Sequence, residues 1–189
     1  MSTILITGAA GYIGSHTTLA LLAQGHSVLG VDNYCNSSPE VFSRVKKLAD
    51  TRTPGASARF AHVQLDVRDR ATLQALLAAR PAEQPVVACI HFAALKAVGE
   101  STAMPLAYLH NNMVGLLSVL GALDSCKVGK VVFSSSATVY GEPEFVPLTE
   151  SARLQPVSPY AVTKLMGEQA LAELARLGEP WRDRHAAIL

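Results

Sequence analysis

Thr7-Gly8-Ala9-Ala10-Gly11-Tyr12-Ile13-Gly14 lies between a short β-branched run, Thr3–Thr7, and a segment of helical period over 12–24. A strand that breaks on glycine and restarts as a helix presents free backbone N–H groups at the positive helix end, a ready receptor for phosphate. The three glycines have separate tasks in such a turn. Gly8 permits the sharp bend, Gly11 lets the main chain approach a pyrophosphate, and Gly14 lets helix and strand pack closely. Eighteen positions beyond Gly14, Asp32 ends a second apolar run, Ser27–Asp32. A carboxylate there accepts a hydrogen bond from a ribose 2′-hydroxyl and repels a 2′-phosphate. With no arginine directly beside it, the spacing points to NAD rather than NADP. The competing reading is an Asp that caps the following turn.

The alternation continues to both ends of the chain. Further apolar runs occupy 58–65, Val86–His91, 130–135 and a last stretch beginning near His185, and segments of helical period occupy 39–50, 69–79, 104–126 and 158–177. Gly25 and Gly178 stand as helix stops. Continuous hydrophobic strands separated by helices predict an α/β fold, a doubly wound parallel sheet of Rossmann type ending near a sixth strand, with 1–189 as a single domain. Two loops stand out: 33–39, and 141–159 with Pro143, Pro147, Pro156 and Pro159. A long proline-rich loop inside a compact domain is usually functional. The last residues, 186–189, read as a strand cut off in mid-run, so the expectation is a chain that stops short of its whole fold.

Composition narrows the class. The 189 residues carry 16 Lys+Arg against 15 Asp+Glu, a formal net charge of +1, and 49% of them are hydrophobic. That excludes a polyelectrolyte footprint for nucleic acid and argues against disorder. Cys35, Cys89 and Cys126 are far apart and show no metal-ligand spacing, and the histidines form no HxxxH pair, so neither a disulfide framework nor a metal site is expected. No basic leader precedes 3–7, and no apolar run reaches the about 20 residues a span requires. The expectation is a cytoplasmic protein without nucleic-acid or membrane partners.

A second constellation carries chemistry. Tyr160-Ala161-Val162-Thr163-Lys164 places a phenol and an ammonium at i and i+4 on one helix face, and Ser134-Ser135-Ser136 closes the fifth strand at its carboxyl end. Ligands of doubly wound sheets bind at the carboxyl ends of the strands, so both groups are expected in one cleft. A tyrosine titrates near 10, and unit charges 4 Å apart at an effective dielectric of 20 interact by about 4 kcal/mol, enough to populate a phenolate near neutrality. Tyr160 is therefore the candidate base and Ser136 a candidate to orient a substrate hydroxyl. The plainer reading is a Tyr/Lys pair on a solvated helix face. Asp66, just after the third strand, is a further candidate to accept from an adenine amine, or else forms an Asx turn.

Gly8–Thr17 as GAAGYIGSHT, 32–37 as DNYCNS, 91–101 as HFAALKAVGES, 134–141 as SSSATVYG and 158–164 as SPYAVTK resemble the extended short-chain dehydrogenase/reductases, and within them the branch that epimerises UDP-hexoses at C4. The resemblance spans essentially the whole chain. It implies NAD⁺ held by Tyr12 and Ile13 at the glycine turn, by Asp32, Asn33, Tyr34, Cys35, Asn36 and Ser37 around the adenosine ribose, and by Asp66 and Val67 near the adenine. Phe92, Ala93, Ala94, Lys96 and Asn111 would continue the cofactor site, and Ser136, Tyr160 and Lys164 fall on the catalytic positions. The implied activity is interconversion of UDP-galactose and UDP-glucose by transient C4 oxidation, with a UDP-hexose substrate and a homodimer in the full-length protein. Sugar-nucleotide dehydratases carry an acidic pair after the strand-end serine; Ala137 and Thr138 stand here, which disfavours elimination. The family continues into a smaller C-terminal lobe that grips the uridine diphosphate and is absent from these residues. An isolated half-site is therefore expected to be marginally stable and slow or inert. A non-catalytic NAD-binding module and an epimerase of another UDP-sugar remain alternatives.

Overall fold

The alternation becomes a single parallel sheet in a computed structural model that describes residues 2–176 and 186–188. The strands are β1 (Thr3–Thr7), β2 (Ser27–Asp32), β3 (Phe60–Gln64), β4 (Val86–His91), β5 (Lys130–Phe133) and β6 (Ala186–Ile188), in the spatial order β3-β2-β1-β4-β5-β6. Every pairing is parallel. The order reverses between β1 and β4, and the crevice at such a reversal is where doubly wound folds receive ligands. The expected helix stop at Gly178, Trp181, the strand start near His185 and Leu189 lie outside the described residues.

Both faces are covered, which is why β2 is buried along its whole length. On one face α1 (Tyr12–Ala23) and α2 (Glu40–Arg52) bring Leu19, Leu22, Phe42 and Val45 against Ile6 and Val28. On the other, α3 (Arg70–Ala78) contributes Leu73 and Leu77 to a core shared with Leu5, Leu29 and Val131. The segment 104–126 is not one regular helix. A short α4 (Val98–Ala103) precedes it. It then runs as α5 (Pro105–Leu109), a π-helical turn at His110–Val114 and α6 (Gly115–Ser125). The closing helix is α7 (Pro159–Arg176).

The run Pro105–Ser125 corrects one expectation: by length and composition alone it could cross a membrane, although half of its most apolar window is buried inside this fold. Polar Asn111, Asn112 and Ser118 interrupt the apolar sequence without lowering its average enough to fail that test. Leu116, Val119, Leu120 and Leu123 of α6 pack into the core beneath the sheet.

Gly14 fixes the junction of β1 and α1. A Cβ there would stand 2.2 Å from the Gly8 carbonyl oxygen and 2.9 Å from Ala9 Cα, both backbone atoms that cannot rotate away. Gly14→Ala should destabilise the chain by about 3 kcal/mol, the upper end of overpacking costs, read as a lower urea midpoint at unchanged slope. A midpoint equal to wild type would show that the turn relaxes freely.

Candidate active site

The glycine turn opens one end of a groove of about 400 Å³ that crosses the carboxyl edge of the sheet. Gly8 adopts φ +67°, and a Cβ on it would meet Ala93 N at 2.8 Å, so its bareness lets β1 close against the loop after β4. Gly11 precedes α1 without a side-chain cap, which leaves the N–H groups of the first turn without intrahelical partners. Tyr12 is 76% exposed and Ile13 56% exposed at this edge of the groove. Orphan donors at a positive helix end beside apolar side chains suit a phosphate with a flat ring system nearby.

Asp32 is buried, and its carboxylate is engaged by its own chain. Ala10 N–H donates to Oδ2 at 2.9 Å, while Tyr34 N–H and the Ser37 hydroxyl donate to Oδ1, each at 2.9 Å. The turn-capping reading is thus realised, and it does not exclude the other. A carboxylate has about four acceptor sites, so one on Oδ2 stays open to a ribose hydroxyl. Asn33, Cys35, Asn36 and Ser37 line the groove; Tyr34 does not. Tyr34 sits at φ +59° and turns its ring edge-on to Phe42 at 5.9 Å, so its contribution to the site is its backbone N–H.

Asp66 and Val67 line the same end. Here the Asx turn forms, and more. Oδ1 accepts from Arg68 N and Nε, both at 2.9 Å, and Oδ2 accepts from Arg68 Nη2 at 2.6 Å and Asn33 Nδ2 at 3.1 Å. The Arg68 hydrogen bonds hold this carboxyl well below the usual carboxylate range. All four acceptor sites are filled, so an adenine amine would have to replace Asn33, the longest of the four contacts.

At the far end, Phe92, Ala93, Ala94 and Lys96 from the loop after β4 join Asn111 from the π-helical turn. Tyr160 and Lys164 of α7 face them across the groove, as their one-turn spacing predicts. Among the described residues the Tyr160 hydroxyl has no hydrogen-bond partner, while its backbone N–H donates to Ser101 Oγ at 3.2 Å. Lys164 is 4% exposed, and burial pushes its ammonium down to about 8. Its Nζ donates to the Ser134 carbonyl at 2.6 Å. His91 ends β4 beneath this site, paired through Nδ1 with Thr7 Oγ1 at 2.8 Å; burial and then the Lys164 charge lower it to about 3, so it is neutral. A buried lysine with a lowered pKa lining a cleft is a candidate functional residue on physical grounds.

Ser136 does not line the groove. Its hydroxyl accepts from Thr138 N at 3.3 Å and Thr138 Oγ1 at 2.9 Å, capping the 3-10 turn Ala137–Tyr140. Its neighbours do line it: Ser134 through the carbonyl that holds Lys164, and Ser135, whose hydroxyl donates to Glu168 of α7.

Several residues were missed by sequence reasoning. Ala10, Ser38, Val41 and Leu65 also line the groove. The clearest omission is buried Asn112. Its Oδ1 accepts from Leu95 N at 2.8 Å and Asn111 Nδ2 at 3.0 Å, and its Nδ2 reaches the Leu95 carbonyl and Thr163 Oγ1, each at 3.0 Å. One amide thereby ties the loop after β4 to α7 beside Tyr160 and Lys164. A polar residue within an otherwise apolar helical run was the available signal, because buried amides persist only when bonded. Asn112→Ala should destabilise by about 2 kcal/mol or more through the unpaired Leu95 groups, measured by urea unfolding; a change within 0.5 kcal/mol, the usual scale of surface substitutions, would contradict that role.

The family described as GDP-mannose 4,6 dehydratase matches residues 5–177. The chain is 46% identical over 178 residues to the UDP-glucose 4-epimerase of Bacillus subtilis (strain 168), covering 94% of this chain and 49% of that protein. It is 47% identical over 173 residues to the UDP-glucose 4-epimerase of Yersinia enterocolitica, covering 91% and 48%. Among solved structures, the UDP-glucose-4-epimerase of Stenotrophomonas maltophila with bound NAD and formylated UDP-arabinopyranose superposes at TM-score 0.87 with 43% identity, covering 98% of this chain and 51% of that one. The Bifidobacterium longum enzyme in complex with NAD+ and UDP superposes at 0.87 with 38% identity, covering 98% and 52%. The chain spans about half the length of the curated relatives it matches.

Proposed function

Because this chain belongs to the family described as GDP-mannose 4,6 dehydratase, we propose that it is the NAD⁺-holding part of a UDP-hexose 4-epimerase. The observation that carries this reading is one continuous groove, with the glycine turn and Asp32 at one end and Tyr160 with Lys164 at the other. The residues present fit the cofactor. The bare first turn of α1 offers donors to a pyrophosphate, Asp32 keeps an open acceptor for a ribose hydroxyl, and among the described residues no cation lies in its hydrogen-bond shell to welcome a 2′-phosphate.

Bound there, NAD⁺ would supply a hydride acceptor that can return what it takes. The chain's own residues do the rest. The unpartnered Tyr160 hydroxyl is the group that takes the proton of a sugar 4-hydroxyl and gives it back. Lys164, held by the Ser134 carbonyl, supplies positive charge on the same helix face. Ala137 and Thr138 leave no acid and base beside Ser136 for eliminating water, which favours epimerisation over dehydration. In this reading Ser136 approaches the substrate only if the Thr138 cap opens. Residues 1–189 form the NAD⁺-binding domain, and the portion of the relatives that this chain does not match carries the uridine diphosphate grip. Homodimerisation and a cytoplasmic location are carried over from the resemblance.

The test is direct. The purified chain is heat-denatured and the released nucleotide identified by mass spectrometry, with binding of NAD⁺ and NADP⁺ compared by calorimetry. NAD⁺ should be released and should bind at least tenfold more tightly than NADP⁺. Equal affinities, or no binding of either, would remove the basis of the proposal.

A further inference from the structure

Lys164 is a buried cation without a counter-ion: among the described residues it joins no ion pair. An ammonium has three donors, and one of these reaches Ser134 O. Two aromatic rings also lie within reach of it. Its Nζ lies 4.8 Å from the centroid of the Phe133 ring and 5.8 Å from that of Tyr160. Phe133 ends β5, is itself buried, and stacks on neutral His91 with centroids 6.0 Å apart and planes 14° apart. Room for this ring beneath α7 comes from Gly167, where a Cβ would stand 2.5 Å from Phe133 Cζ and 2.9 Å from Cε1.

We infer that Phe133 is a positioning residue whose ring face seats the Lys164 ammonium, and that Gly167 is bare so that the ring can lie there. The negative face of an aromatic ring attracts a cation, and the attraction grows when both are withdrawn from water. Packing alone makes the opposite claim: a ring that only excludes water weakens the charged form, so weakening its electrostatics would change nothing and shrinking it would strengthen the charge. Among the described residues, titratable groups approach this ammonium from α7, from β4 and from the loop after β4. Tyr160 precedes it by one turn, His91 of β4 lies behind the ring, Glu168 one turn later receives the Ser135 hydroxyl, and Lys96 borders the same groove. The seat's effect on proton transfer rests on the epimerase reading above; the seat itself does not.

The experiment replaces Phe133 with mono-, tri- and pentafluorophenylalanine, which keep the ring's shape and progressively withdraw its facial charge. Lysine side chains labelled with 13C at Cε are titrated by NMR in this chain without added nucleotide, and the Lys164 signal is assigned by its loss in Lys164→Arg. The Lys164 midpoint should fall stepwise, by about one pH unit at full fluorination. Phe133→Leu should lower it similarly, and Phe133→Tyr should restore it. A midpoint that stays fixed through the fluorinated series, or rises in Phe133→Leu, overturns the proposal. Because no nucleotide is present, this result stands apart from whether NAD⁺ binds at all.

Discussion

Lys164→Met should make the chain more stable by about 2 kcal/mol at pH 7 while abolishing its retention of NAD⁺. The sign follows from the buried ammonium. Burial pushes Lys164 down to about 8 from 10.5, so between those values the unfolded chain binds a proton that the folded chain does not. Stability of the wild type therefore rises as pH climbs from about 8 to 10.5, and the full penalty, about 3 kcal/mol at 1.36 kcal/mol per unit, is present below pH 8. Removing the amine lifts that penalty and loses the bond to Ser134 O, which offsets about 1 kcal/mol. Urea unfolding at several pH values reads both parts: an advantage of Lys164→Met at pH 7 that shrinks toward pH 10.5. A variant less stable than wild type at pH 7 would show that the ammonium is net stabilising, and that the site carries no stored cost for function.

The second large effect is on turnover. In protein that interconverts UDP-hexoses, Tyr160→Phe should lower the rate by about 10² to 10⁴, the range for a lost proton-transfer group. The same change should leave stability within about 0.5 kcal/mol, because the hydroxyl has no hydrogen bond to lose among the described residues. Retained NAD⁺ with lost turnover separates a missing base from a damaged pocket. Turnover that survives at the wild-type rate would assign the proton transfer elsewhere.

Local chemistry made much of this legible in the sequence. The glycine turn announced itself because Gly8 and Gly14 answer to backbone atoms within a few residues, or to the strand that alternation had already placed. Tyr160 and Lys164 were readable because i and i+4 share a helix face whatever the helix packs against. The remainder depends on distant contacts. No pattern marks Tyr34 as left-handed with its ring turned into the core, or marks Ser136 as the cap of a 3-10 turn rather than a wall of the groove. Asp66 lines the groove, yet the saturation of its oxygens by Arg68 and Asn33 emerges only when β2 and β3 lie side by side. Asn112 is the instructive case. Its neighbour Asn111 enters through the resemblance, whereas Asn112, whose amide ties the loop after β4 to α7, is marked only by its polarity in an apolar run. The π-helical turn around it belongs to a class of irregularity common at functional sites, and single-sequence periodicity does not register it.

One dinucleotide should span the groove with its reactive ring beside Tyr160 and Lys164. A crystal structure of this chain with NAD⁺ decides it. A ribose hydroxyl should lie on Asp32 Oδ2, the pyrophosphate over the first turn of α1, and the nicotinamide against the Tyr160 and Lys164 end. A nicotinamide found at the Asp66 end, or a groove that stays empty at millimolar NAD⁺, would contradict it.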